Sequence, residues 1–213
     1  MTVSDFAELA ILDAIFNSVA FDVAALWCSL HDGDPAETGT NEVTGGSYAR
    51  VDVTTFFDAA ASGSVVSNAN IEFTDMPAVE VVAVGFWDAS TVGNHLWNGW
   101  LTGTPAVRGV FSAEADDDIL TAKGHGLADT DQVVFSAEGL GVTLPTGLVA
   151  GTVYHVIATG LTTDAFEVSA TPAGAAVNIT VDGNGSFTKI VPKTTNSGDT
   201  LRIASTALTV SLF

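Results

Sequence analysis

The sequence predicts a mainly β protein, a β-sandwich-like base with one short N-terminal helix and an inserted second domain. Short apolar stretches alternate with turns rich in Gly, Pro, Asp and Asn, and one stretch near the N-terminus has helical spacing. After Thr104 the spacing of strands and turns changes, and it changes back near residue 193. We therefore predict a base formed by residues 1–104 and 193–213. The inserted residues 105–192 are predicted to form a small β sandwich or barrel.

Composition narrows the classes of partner. Hydrophobic residues make up 47% of the 213 residues and charged residues 15%, which predicts a well-formed core. The chain has 25 acidic and 6 basic residues, a net charge of −19, which argues against nucleic-acid and anionic-membrane partners. The single cysteine, Cys28, excludes an internal disulfide and a cysteine-based zinc site, and is predicted to be a core residue. We expect a protein made in the cytoplasm, because we find no basic secretory leader and no apolar run of membrane-spanning length.

Local signals place the elements of the base. Ser4 is a helix cap followed by Asp5 and Glu8, and the helix with its one apolar face is predicted to end at Asn17-Ser18. A long polar loop, His31–Gly46, follows the first strand. The predicted strands are Val23–Leu30, Tyr48–Phe57, Ile71–Phe73, Val79–Trp87, Leu96–Leu101, Leu201–Ile203 and Ala207–Leu212. We expect Val79–Trp87 to pair with Leu96–Leu101.

The inserted segment has its own series of strands. The first four are predicted at Val107–Phe111, Gln132–Phe135, Thr152–Ala158 and Asp164–Val168. A final hairpin is predicted from Val177–Val181 and Ser186–Val191, joined by a turn at Asp182-Gly183-Asn184-Gly185. The ends of this domain must lie close together, because it interrupts the base between neighbouring strands.

Catalytic patterns are missing from the sequence. The four histidines lie in four different segments, and there is no HExxH, GxSxG or P-loop motif. His155 lies inside an apolar stretch and is predicted to be a sheet residue. We therefore predict no enzymatic activity and no cofactor.

Acidic clusters raise the alternative of a bound cation. Asp32, Asp34 and Glu37 supply oxygens around a glycine, as a calcium site requires. The spacing is not that of an EF-hand, and Asp-Gly-Asp-Pro is also favourable turn chemistry, so we predict no metal site and keep these three as the calcium candidates. The run Asp116-Asp117-Asp118 is interpreted as solvated surface.

Aromatic residues and one arginine are the candidates for an interface. Trp87, Trp97 and Trp100 lie close together in the sequence, and the spacing of Trp97 and Trp100 predicts that they point to opposite faces of a strand. We expect one in the core and the other at a subunit interface or, as an alternative, against a sugar. Arg50 is the only base before Arg108, which suggests an ion pair with Asp52, Asp88 or another carboxylate. Together with Tyr48, these residues form the set of interface candidates.

An ordered series of motifs resembles a family of small virion proteins of tailed bacteriophages, of the tail-fibre-like or minor structural type. The motifs are Leu30, Asp34-Pro35, Glu42-Val43, Gly45-Gly46, Tyr48-Ala49-Arg50, Gly85-Phe86-Trp87-Asp88-Ala89, Gly93-Asn94, Leu96, Gly99, Leu101-Thr102, Gly198-Asp199-Thr200 and Leu208-Thr209-Val210-Ser211-Leu212. The segment after Thr104 departs from the compact members. Its stretches TAKGHGLADTDQVVFS and LPTGLVAGTVYHVIA resemble a β module that is repeated in phage tail and fibre proteins.

The resemblance implies a structural role in the virion without catalysis. Its implied partners are further copies of the chain, as a trimer or another symmetric oligomer, and the major capsid or tail proteins. Two placements stay open, capsid decoration and tail association. The alternative function is a tail-fibre or tail-tip adhesin that binds host-surface carbohydrate.

Overall fold

The computed structural model of the chain describes residues 2–115, 117–137 and 141–211, and it divides into two compact units. The sheet unit comprises Met1–Trp100 and Lys193–Phe213, and the barrel unit comprises Leu101–Pro192. The predicted insertion begins a few residues later, at 105; that the barrel unit folds independently remains a prediction. Within the described ranges, none of the helical structure has the length and apolar character needed to cross a membrane.

The elements are short strands and one helix. Before the barrel unit the chain forms β1 (Thr2–Val3), α1 (Asp5–Phe16), β2 (Trp27–His31), β3 (Val51–Asp52), β4 (Ser64–Val66), β5 (Ile71–Met76), β6 (Val79–Val81), β7 (Ala83–Trp87) and β8 (His95–Trp100). The barrel unit contains β9 (Arg108–Ala113), β10 (Leu120–Thr121), β11 (Gln132–Ser136), β12 (Val153–Ile157), β13 (Ala165–Ser169) and β14 (Gly183–Ile190). The chain ends with β15 (Lys193–Thr195), β16 (Asp199–Ile203) and β17 (Thr209–Ser211). The prediction of a mainly β protein with one short helix is confirmed.

The sheet unit combines one five-stranded antiparallel sheet with three two-stranded ribbons. The order in the sheet is β1-β8-β7-β2-β3, and the ribbons are β15-β6, β16-β5 and β17-β4. Each ribbon joins a strand that precedes the barrel unit to a strand that follows it. The sequence before and after the barrel unit therefore forms one fold.

The helix begins and ends as predicted, but its apolar residues are not gathered on one face, since Asp5, Glu8 and Asp13 lie among them. Ser4 is the N-cap, and its side chain accepts a hydrogen bond from the Ala7 amide. The cap satisfies an amide that has no partner inside the first turn. Asn17 is the C-cap, and Ser18 follows in the left-handed conformation (φ 56°).

Several predicted strands of the base have wrong bounds. The first begins at Trp27 rather than Val23. Of the predicted Tyr48–Phe57, β3 keeps two residues, because the Asp52 carboxylate accepts hydrogen bonds from the Thr54 amide and hydroxyl and turns the chain. The predicted Val79–Trp87 is two strands in different sheets, of which β7 pairs with β8 as expected. The end of the last predicted strand, Leu212, lies outside the described residues.

The barrel unit closes on itself. Its six strands run in the order β10-β13-β12-β11-β14-β9 with the two ends joined, so the predicted sandwich or barrel is a barrel. Closure leaves no free sheet edge. The interior is filled by buried aromatic and branched side chains, among them Phe111, Leu120, Val133, Phe135, Tyr154, Val156, Phe166, Val168, Ile179 and Phe187.

The predicted final hairpin of the insertion is wrong. Residues 177–181 form no strand, and the supposed turn lies inside β14, where Gly183 and Gly185 pair with Ala113 and Phe111. These glycines permit close packing instead of a turn. A Cβ on Gly183 would lie 2.2 Å from the Pro145 nitrogen, and one on Gly185 would lie 2.6 Å from a methyl group of Leu144.

Candidate interaction site

His31 is the last residue of β2, so the polar loop is residues 32–46. This loop is hydrogen-bonded to one face of the five-stranded sheet. The strand register gives this face Ser29 and His31 of β2, Gly85 and Trp87 of β7, and His95 and Asn98 of β8. Loop carbonyls accept from three of these side chains: Thr40 O from His31 Nδ1 (2.7 Å), Glu37 O from His95 Nδ1 (3.2 Å) and Ala36 O from Asn98 Nδ2 (2.9 Å). Because a carbonyl only accepts, Nδ1 carries the proton in both histidines.

A buried hydrogen-bond chain runs across this face. Trp87 Nε1 donates to Ser29 Oγ (2.9 Å), whose hydroxyl donates to His31 Nε2 (2.8 Å). Burial is the main reason that the pKa of His31 is lowered to about 4, and burial also lowers the pKa of His95. His31 is therefore a neutral imidazole near pH 7, and it connects β2 to the loop.

The pair of Ser29 and His31 resembles a nucleophile with its base, but burial argues against such a role. Both residues are fully buried. Nucleophilic catalysis needs a hydroxyl that a substrate can reach and a base that is poised near the working pH. The geometry and the lowered pKa of His31 indicate a structural connection.

Two glycines allow the loop and the strands to approach closely. A Cβ on Gly39 (φ 66°) would lie 2.1 Å from Cζ2 of Trp87. A Cβ on Gly85 would lie 2.6 Å from His31 Nε2 and 2.7 Å from Ser29 Oγ. Both positions are therefore closed to any residue with a side chain unless the neighbours move.

Arg50 is the central cation of the site. Its guanidinium contacts Glu42 through Nη2 and Oε2 (2.7 Å) and through Nε and Oε1 (2.9 Å), and it lies 3.6 Å from the Trp87 ring centroid. Nη1 donates to the carbonyls of Ala89 (3.0 Å) and Val92 (2.8 Å). The Arg50 side chain is 8% exposed. Through these contacts it connects the polar loop to the turn after β7 in one fixed geometry.

Tyr48 completes this cluster. Its hydroxyl donates to Glu42 Oε1 (3.3 Å) and accepts from the Leu30 amide (2.9 Å), and its ring stacks on Phe73. Burial is the main reason that the pKa of Tyr48 is raised above its ordinary range. The phenol is therefore neutral and can donate to the carboxylate.

The partner of Arg50 is Glu42, and neither Asp52 nor Asp88 fills this role. Asp52 accepts from Thr54, which lowers the pKa of its carboxyl. Asp88 accepts from the amide and side chain of Asn94 and fixes the turn between β7 and β8. Both carboxylates therefore serve local turns.

The interface candidates differ in exposure. Arg50 and Trp87 are covered inside the sheet unit, since Trp87 is 7% exposed and Arg50 lies over its ring. Trp97 and Trp100 are half-buried, and the register places Trp97 opposite Phe86 and Trp100 opposite Ala83, on the two faces of the sheet. Their use as an interface remains a prediction, as does that of Tyr48.

The calcium candidates have other contacts. Asp34 Oδ1 accepts from the Ala36 amide (2.9 Å), and Glu37 Oε2 accepts from the Asp5 amide at the start of α1 (2.8 Å). Across the described ranges, no three His, Cys, Asp or Glu side chains come together as a potential metal site. Asp32, the third calcium candidate, therefore belongs to no such group. In the second acidic run, Asp116 lies outside the described residues, and Asp118 accepts from the Ile179 amide.

Sequence reasoning missed the residues that join loop and sheet. Ser29, His31, His95 and Asn98 were not recognised, although polar residues at alternate positions of the apolar stretch WCSLH are a usable signal. Glu42 lies in a long polar loop, where no local pattern marks a buried contact.

A second surface, formed by α1 and the residues that follow it, is strongly apolar. Seven large hydrophobic side chains between residues 6 and 21 are exposed: Phe6, Leu9, Leu12, Ile15, Phe16, Val19 and Phe21. We call these residues the apolar helix surface. Large exposed apolar patches mark interaction sites in soluble proteins.

A comparison with known protein families identifies the family of this chain. The family model of podophage GP4 fiber I protein gp80 matches residues 2–110. The chain belongs to this family. It is a tail-fibre-like structural protein of a bacteriophage virion, as the motifs around Arg50 predict. The gp80 match covers the sheet unit up to its barrel insertion and ends within β9.

Other comparisons add little. Among solved structures, the endosialidase of phage phi92 is similar at 17% identity and a TM-score of 0.26, covering 73% of this chain and 22% of that one. The chain thus spans about a fifth of that protein, and the likeness carries no argument on activity. No curated protein matches the chain.

Proposed function

We propose that this gp80-family chain is a tail-associated structural protein without catalytic activity, which binds other virion proteins through its sheet unit and displays its barrel unit outward. The observation that carries this proposal is where the family match ends. Residues 2–110 take in the whole sheet unit before the insertion and stop in the first barrel strand. The part shared with a fibre family is therefore the sheet unit, which supports assigning attachment to it.

The geometry of the polar loop supports a structural role. Buried side chains and a partly buried ion pair fix the loop on the sheet, and the pair of Ser29 and His31 is inaccessible. Such a network stabilises one conformation of a surface that is used for assembly. We propose that the chain needs no cofactor.

Particle binding and copy number test the proposal. Particles of the encoding phage are assembled without this chain, and the purified full chain is added back. We expect saturable binding, immunogold labelling at the tail and a small copy number per particle. Hundreds of copies spread over the head would contradict tail association and favour capsid decoration. No binding to any particle would overturn the proposed attachment.

The host-glycan alternative has a separate test. Carbohydrate sites generally use exposed aromatic rings, but all five aromatic residues of the barrel unit, Phe111, Phe135, Tyr154, Phe166 and Phe187, are buried. We therefore expect no carbohydrate site on the barrel unit, and we expect the full chain to bind no host polysaccharide on a glycan array unless the half-buried Trp97 or Trp100 of the sheet unit provides the site. Specific binding would favour the adhesin. Self-association, the predicted trimer or other symmetric oligomer, is measured by light scattering.

A further inference from the structure

Most of the large apolar residues of α1 are exposed. A surface helix usually turns its large apolar residues inward. Here α1 packs against β8, with Ala7 buried and only Ala10 and Ile11 half-buried behind it. Leu9, Leu12 and Phe16 follow the i, i+3, i+7 spacing and are 64%, 51% and 75% exposed.

The hydrogen bonds that the structure gives between the helix and the rest of the sheet unit lie at the first turn of α1. The Ser4 amide donates to Leu96 O (3.0 Å), the Ser4 hydroxyl donates to His95 O, and Glu37 caps the Asp5 amide. No residue from 8 to 27, all of which the structure describes, is buried. The sheet unit therefore presents the apolar helix surface while it contributes little to covering it.

Charge limits what can cover this surface. The exposed acids Asp5, Glu8 and Asp13 lie on α1 and Asp22 lies just after it, and no Lys or Arg precedes Arg50, which is paired with Glu42. A second copy would bring the same acids to the contact, and like charges facing each other oppose association. Anionic lipid is repelled for the same reason.

We propose that the apolar helix surface docks into an apolar groove, edged by Lys and Arg, on a different protein of the virion. The mode is that of a helix in a groove, with Leu9, Leu12 and Phe16 as anchors and the acids Asp5, Glu8, Asp13 and Asp22 beside them. This inference rests on the proposed attachment of the sheet unit to the virion and names the surface and the partner chemistry.

Binding of helix variants to particles assembled without this chain tests the inference. The variant Leu12→Ser/Phe16→Ser removes two anchors whose residues are 51% and 75% exposed, so its thermal unfolding should change little from that of the wild type. We expect its particle affinity to fall by about 100-fold, since burial of each side chain contributes about tenfold or more. The matched control is Val110→Ser/Val181→Ser, which changes two exposed valines of the barrel unit and should bind like the wild type.

The salt dependence of binding tests whether Lys and Arg edge the groove of the partner protein. Binding of the wild type should weaken between about 0.05 and 0.5 M NaCl, because screening removes the attraction between opposite charges. The variant Glu8→Gln/Asp22→Asn removes two of the four acids, so it should bind more weakly at low salt and show a smaller salt dependence than the wild type. Binding that is unaffected or strengthened by salt would overturn the proposed partner chemistry.

The remaining outcomes of these experiments distinguish the helix inference from the proposed attachment and from other occupants. If the wild type binds particles and Leu12→Ser/Phe16→Ser binds equally well, the helix inference fails while the proposed attachment stands. If the wild type does not bind, the attachment itself fails. Oligomers in light scattering that dissociate in this variant would identify a second copy as the occupant. Binding to phosphatidylcholine vesicles that the variant loses would identify a lipid surface, and either result would overturn the inference.

Discussion

The two units reach a stable fold by different means. The barrel unit joins its six strands into a closed ring around a dense aromatic core, with Phe111, Phe135 and Phe166 buried and in contact with other rings. The sheet unit joins one sheet and three ribbons that depend on strands from both ends of the chain. It adds a fixed polar loop and a partly buried ion pair, and it leaves the apolar helix surface exposed.

The two units differ in how much of their packing depends on specific polar contacts. A closed barrel satisfies its own backbone groups and buries its own apolar surface. In the sheet unit, polar contacts such as Arg50 with Glu42 set the conformation of loops that apolar packing alone would not fix.

Phe166→Ala should have the largest effect, and it tests whether the two units are energetically separate. Phe166 is fully buried and lies 5.5 Å from Phe187 between ring centroids, so its loss should destabilise the barrel unit by about 3–5 kcal/mol. All four tryptophans lie in the sheet unit. Urea unfolding followed by far-UV circular dichroism should therefore change, while the transition in tryptophan fluorescence stays in place.

The control for this variant is Val149→Ala, at an exposed position of the same unit, which should change stability by less than about 0.5 kcal/mol. If tryptophan fluorescence and circular dichroism shift together in Phe166→Ala, the units unfold as one and the comparison drawn above is wrong.

Arg50→Met should be the next largest, and its effect should be confined to the sheet unit. The change leaves Glu42 without its cation and two turn carbonyls without their donor, at a cost of about 2 kcal/mol because the pair is partly buried. The tryptophan fluorescence transition in urea measures it. Arg202→Met, which changes an exposed arginine of the same unit, is the matched control. Equal effects of the two variants would remove the central role assigned to Arg50.

Sequence patterns predicted those features that depend on neighbouring residues. The Ser4 cap, the helix end and the pairing of β7 with β8 across a short turn are local, and all three were found. The break at Val82 was missed, because apolar residues continue through it although the strand changes partners. Gly183 was read as a turn because glycine serves both turns and close packing, and only the approach of Pro145 decides between them.

Local sequence patterns likewise predicted only part of the candidate site. The unusual position of Arg50 as the only base before Arg108 was visible in the sequence, and it pointed to a buried ion pair. Its partner was not visible, since Glu42 is one of several acids and only the folded loop brings it to the guanidinium. His31 and His95 lie in separate strands, and nothing local indicates that both donate to the same loop.

Acid should destabilise the sheet unit through His31. Its pKa is about 4 in the folded protein and about 6.5 when unfolded, so between these pH values the unfolded chain binds more protons and stability falls as pH falls. The loss is about 3 kcal/mol from pH 7 to 4, and His95 adds to it in the same direction. Urea unfolding followed by tryptophan fluorescence at several pH values measures it.

The matched variants separate His31 from other titrating groups. His31→Asn keeps a donor toward Thr40 but cannot titrate, so it should be less stable at pH 7 and show a smaller loss on acidification. His155→Asn, in the barrel unit, should leave the pH dependence of the tryptophan transition unchanged. An unchanged pH dependence in His31→Asn would show that the buried histidine is not what makes the sheet unit acid-sensitive.

Ser4→Ala should have the smallest effect, and it sharpens the distinction between the helix and the sheet that holds it. The hydroxyl accepts from the Ala7 amide and donates to His95 O, so its loss removes the cap and one contact to β8 at a cost of about 1 kcal/mol. Because α1 is held at its first turn, we expect faster amide exchange along α1 and unchanged exchange in β7, with Ser90→Ala as the exposed control. Faster exchange throughout the five-stranded sheet would instead mean that the helix is part of the core of the unit, which the exposed apolar helix surface argues against.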